Sequence, residues 1–121
     1  MSTDDTSKND LDWDDYTKRF DIDLGCDHLL RFSCWKPDRN LNPQYAHLPD
    51  VEKYGATVFH KRPDGKNCLG AITFASAVSA ALAPGRPSWH VESWEPLTVS
   101  PSLLCSCGDH GFIRNGKWVK A

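Results

Sequence analysis

Apolar side chains at Trp13, Tyr16 and Phe20 fall at i, i+3 and i+7. That is the period of one helix face. Asp10 can cap the start, and Asp14 and Asp15 suit the positive end of a helix dipole. The spacing predicts a short amphipathic helix over roughly 10–20, with its aromatic face docked on the rest of the chain. The ten residues before it, MSTDDTSKND, are polar and acidic and are expected to be disordered.

The patch Leu29, Leu30 and Phe32 predicts a strand near 28–35, and Pro37, Pro43 and Pro49 then mark an extended loop. Beyond Gly55 the period becomes two. ATVFH and CLGAITF flank PDGKN, in which Pro63, Asp64 and Gly65 carry turn chemistry. A hairpin of about 56–61 and 68–75 is predicted. ASAVSAALAPGRP, alanine-rich and closed by Pro84-Gly85, reads as one or two helical turns or a flexible loop, with a loose connection preferred. In SWHVESW, Trp89 and Val91 face one way and His90 and Glu92 the other, as in a half-buried strand. LTVSPSLLC is extended, with Pro101 marking an edge or a bulge. Asn115-Gly116 is a strong hairpin turn, and it sets Ile113 opposite Trp118 and Phe112 opposite Val119. The expected fold class is therefore α+β, mostly β: antiparallel hairpins clipped by a zinc site, with one short N-terminal helix. The expected organisation is an acidic leader over 1–23 and a small β-rich domain over 24–121.

Composition changes this picture little. At 121 residues the chain is long enough for one domain with a real core. No apolar run approaches the ~20 residues of a membrane helix, and the start has no secretory pattern, so a cytoplasmic place in a bacterial cell is expected. Charge is uneven. Residues 1–23 hold eight aspartates against Lys8, Lys18 and Arg19, and the remainder carries a small positive excess. A solvated acidic tail is the bland reading, and recruitment of a basic partner the sharper one.

Five cysteines in a chain without a secretory signal point to reduced thiols that bind metal or pack in the core. Cys105, Cys107 and His110 are spaced C-x-C-x2-H, with Gly108 and Gly111 bracketing the histidine. One bend of chain can then supply two or three ligands to a zinc ion. His60 and Cys68 stand opposite each other across the PDG turn and complete a set. The candidate metal ligands are therefore His60, Cys68, Cys105, Cys107 and His110. Five candidates for four places leave at least one surplus, Cys105 or His60 first. Cys26, His28 and Cys34 form a weaker second cluster.

The run WEPLTVSPSLLCSCGDHGFIRNGKWVKA resembles the C-terminal signature of a family of small actinobacteriophage and bacterial proteins. The signature is an S-P-S stretch, a Cys/Gly/His cluster and an aromatic-Ile hairpin. His60, Cys68, Gly70 and Phe74 resemble its first half. The resemblance implies a structural zinc-binding domain, a phage or prophage origin, and no settled activity.

Several functions follow. A protein-binding module that acts on a host factor is the leading one. A nucleic-acid-binding zinc domain is the second, with Lys61, Arg62, Lys66, Arg114, Lys117 and Lys120 at the hairpin tips and Trp118 nearby. The third is a metal-dependent hydrolase using Asp109 or His90. A deaminase-like reading of His90-Val91-Glu92 fails on the C-x-C spacing and on Pro101, which is not adjacent to Cys105.

Overall fold

The computed structural model describes residues 2–4, 16–62 and 64–121. Among the described residues, nine strands form two antiparallel sheets. The first runs in the order β1 (Ser2–Asp4), β5 (Asn67–Thr73), β4 (Val51–Lys61), β3 (His28–Trp35), β2 (Ile22–Gly25). The second runs β6 (His90–Trp94), β7 (Leu97–Leu104), β8 (His110–Arg114), β9 (Lys117–Lys120). The only other regular elements among the described residues are a helical turn at residues 16–18, a 3-10 turn at Pro43–Tyr45 and a six-residue helix α1 (Ala77–Leu82).

This corrects the expected α+β class. The chain is mostly β, and helices supply no layer of it. Residues 10–15 of the expected N-terminal helix lie outside the described residues. The described part continues as one turn, where Tyr16 stacks on Phe59 with ring centroids 4.3 Å apart and receives the Arg31 guanidinium on its ring at 4.1 Å. Disorder was expected over residues 1–10. Instead Ser2–Asp4 pairs with β5, whose backbone groups would otherwise form an open sheet edge.

The hairpins follow from their turn residues. Asp64 Oδ1 accepts from the Lys66 amide at 3.0 Å, and Arg62 and Lys66 close the β4–β5 reversal at 2.7 Å. This register sets His60 opposite Cys68. Asn115 (φ 51°) and Gly116 (φ 72°) both take the left-handed conformation that a two-residue hairpin turn demands. Ile113 then faces Trp118, and Phe112 faces Val119. ASAVSAALAPG, expected as a loose connection, folds as α1. Ser76 accepts from the Ser79 amide and the Ser79 hydroxyl accepts from the Ser76 amide, a reciprocal cap that a short helix needs.

Both sheets contribute to one core. Leu30, Val58, Ile72 and Phe74 come from the first, and Leu97, Val99, Leu103, Ile113 and Trp118 from the second. No helix among the described residues is long and apolar enough to cross a membrane. Gly111 lies in β8 directly under Trp118, where an added Cβ would fall 2.5 Å from the indole. Gly111→Ala is expected to displace that ring and cost about 1–3 kcal/mol through overpacking. A lowered urea midpoint with an unchanged slope would report it.

Candidate functional site

The β4–β5 turn and the β7–β8 connection converge at one end of the core. His60 leaves the end of β4, and Cys68 stands opposite it on β5. Cys105 and Cys107 come from the connection that follows β7. Ligand atoms of His60, Cys68, Cys105 and Cys107 all lie within 4.8 Å of one another. His60, Cys68 and Cys105 are buried and Cys107 half-buried. Four of the five residues singled out in the sequence therefore meet. The fifth, His110, is exposed and faces away from the group.

The spacings fit a metal ion. Cys68 Sγ and Cys105 Sγ are 3.7 Å apart, too far for a disulfide. His60 Nε2 is 3.4 Å from Cys107 Sγ. A tetrahedral zinc with ordinary bond lengths has edges of about 3.8 Å between sulfurs and about 3.6 Å between sulfur and nitrogen. His60 Nδ1 donates to the Val58 carbonyl at 3.3 Å, which leaves Nε2 free to turn its lone pair on the ion. The Asp109 amide donates to Cys107 Sγ. With no cation the pocket disfavours thiolates, while it favours the neutral imidazole that ligates. Burial, reinforced by Cys105, pushes the Cys68 thiol far above the ordinary thiol range. Burial also raises Cys107. It lowers His60, against an opposing pull from Asp109. A divalent cation offsets the cost of gathering thiolates in such a place.

A second group borders the first. His28 Nδ1 donates to the Cys26 carbonyl at 2.7 Å, and its Nε2 meets Asp109 Oδ2 at 2.6 Å. The ring lies between Trp118, at a centroid distance of 4.1 Å, and His60, at 5.3 Å. Cys26 and Cys34 are exposed and do not join His28 in a cluster. Asp109 thus spans the two sheets. Its carbonyl also accepts from the Cys105 amide at 2.8 Å, which tightens the loop.

His110 points the other way, because successive residues of a strand face opposite sides. Its Nε2 is 3.0 Å from Ser102 Oγ. Ser102 sits where β7 slips against β8: four steps from Val99 to Leu103 oppose two from Ile113 to Gly111. Such bulges re-aim a side chain. Trp89 Nε1 donates to the Ser102 carbonyl at 3.2 Å and fixes the bulge from within the core. Sequence reasoning gave Ser102 no role. The available sign was Pro101, which marked the irregularity but not its purpose. Nucleophile and base within hydrogen-bond reach is the geometry of an activated serine.

Native protein is expected to show two fast thiols, Cys26 and Cys34, towards a thiol reagent, and all five once it is denatured with a chelator. Five fast thiols in the native state would contradict the burial described.

Residues 36–121 match a family model described as BubE, the bacterial ubiquitination-like system serine protease. No curated protein and no solved structure matches the chain. The matched family is described as bacterial, and nothing in the match supports the phage origin that the sequence resemblance implied.

Proposed function

The chain belongs to the BubE family, the serine proteases of bacterial ubiquitination-like systems, and from that membership we propose that Ser102 and His110 are its nucleophile and general base. The observation that carries this is the 3.0 Å approach of Ser102 Oγ to His110 Nε2 on an exposed sheet face. In the proposed reaction Ser102 Oγ attacks the carbonyl carbon of a peptide bond while His110 takes the hydroxyl proton. His110 returns that proton to the leaving amine as the C–N bond breaks. Water, deprotonated by His110, then releases the acyl group and restores Ser102. The adjacent Asp109 is not the acid that orients His110, since its carboxylate is held by His28. The substrate in this reading is a protein of the ubiquitin-like system, which narrows the partner expected from sequence to one that is cut.

The second element of the proposal is a zinc ion held by His60, Cys68, Cys105 and Cys107. Four protein ligands leave no open position, the mark of a structural rather than a catalytic site. When bound, it supplies rigidity to the loop that joins the serine strand to the histidine strand. His110, counted among the ligands on spacing alone, belongs to the reacting pair in this reading.

A fluorophosphonate probe tests the first element. In wild type a Ser102 Oγ–P bond forms, the P–F bond breaks, fluoride leaves and the proton passes to His110. Ser102→Ala is expected to abolish labelling and His110→Ala to slow it by about 100-fold or more, with thermal melting unchanged in both. Labelling of Ser102→Ala at the wild-type rate would refute the assignment. Metal analysis tests the second element: about one zinc per chain is expected, lost in Cys68→Ala and retained in His110→Ala.

A further inference from the structure

The outer face of the second sheet carries more than the reacting pair. Strand alternation and register place Ser102 and Leu104 on it from β7, His110, Phe112 and Arg114 from β8, and Lys117 and Val119 from β9. Leu104 stands directly opposite His110, and Val119 opposite Phe112. Leu104 is 57% exposed and Val119 41%. Large apolar residues at two such points beside a nucleophile form a surface that a partner's apolar side chains would cover. At the far end Arg114 stands opposite Lys117, and its guanidinium lies over the Phe112 ring at 4.3 Å. The charge on this face is ordered. The cations stand at the β8–β9 turn, whereas Glu92 lies on β6 at the opposite edge.

Resting on the Ser102–His110 reading, we propose that this face binds the substrate as an extended protein segment of defined pattern. Residues i and i+2 of a strand are about 6.7 Å apart. Along β8 that spacing carries the face from His110 to Phe112 and on to Arg114. Register puts Ser102 about level with Phe112 and Val119, between Leu104 on one side and Arg114 with Lys117 on the other, so an extended chain lying beside β8 with its scissile bond at Ser102 brings a residue on one side of that bond over Leu104. It brings a residue on the other side, about four positions from the first, to Arg114 and Lys117. The first is apolar and the second carries a carboxylate. The apolar contact gives affinity through buried area, and the ion pairs set direction and register. Cations at one end and Leu104 at the other make the face directional, so a segment of reversed polarity is rejected.

The test is competition against fluorophosphonate labelling of the full chain, with two capped heptapeptides as probes. One is Glu-Ser-Val-Ser-Leu-Gly-Gly. The other replaces Glu by Lys, and Val and Leu by Ser. The first is expected to slow labelling of wild type, and the second to leave it unchanged. Leu104→Ser with Val119→Ser, and separately Arg114→Ser with Lys117→Ser, are expected to weaken the first peptide's effect by about tenfold or more. Each pair's response to peptide is read against its own labelling rate without peptide. Equal competition by both peptides, or competition by neither, overturns the proposal while leaving the serine assignment intact. So does labelling that falls with protein concentration and ignores both peptides, which gives the face to a second copy of the chain. Wild type that does not label at all overturns the serine assignment beneath it.

Discussion

Three sulfurs and an imidazole gathered at one end of the core set the terms for the rest of the molecule. They arrive from two places far apart in sequence: the paired ends of β4 and β5, and the connection between β7 and β8. Thiols this deep resist ionisation, as the raised Cys68 and Cys107 show. The arrangement is therefore poised for a cation that makes thiolates affordable, and binding free energy of that kind becomes folding free energy. A neighbouring polar bridge works in the same direction. His28 from the first sheet and Asp109 from the second meet at 2.6 Å, with the imidazole packed flat between Trp118 and His60.

This frame divides labour within a few residues. Cys105 and Cys107 turn inward to the thiol cluster, and Asp109 turns inward to His28. His110 faces outward, and it meets Ser102. The inward residues hold the loop, and the outward one is left for the proposed proton transfer. The slip between β7 and β8 is what turns Ser102 towards it.

Much of the fold was legible in the chain, and the reasons are local. Asp64 and Gly65, and Asn115 and Gly116, specify their reversals by backbone chemistry, so the facing pairs His60–Cys68 and Ile113–Trp118 could be placed by counting. The thiol cluster followed from those registers. The fold class was read as α+β because three aromatics near the N-terminus fall at a helical period. Helix α1 was weighed and set aside for a loop because its cap is Ser76 with Ser79, a weaker sign than serine with glutamate. His110 was grouped with the thiols by its short distance from Cys107 in sequence. Strand alternation decides otherwise, and the face on which a strand begins is set by tertiary packing. Ser102 was hidden because a bulge is specified jointly by two strands, whereas the sequence displays one at a time. The His28–Asp109 contact joins residues 81 positions apart, and no local pattern announces such a meeting.

Ser102 and His110 lie on neighbouring strands of one chain reversal. Enzymes that draw nucleophile and base from distant segments can be silenced by pulling those segments apart. Here no hinge between the sheets can separate the two, because both ride on the same ribbon. The chain could be cut and rejoined elsewhere, in the β4–β5 tip for example, and the ribbon would still deliver its serine to its histidine. Descent with rearrangement would thus transmit the proposed reacting pair whole, as a cassette bounded by Ser102 and His110.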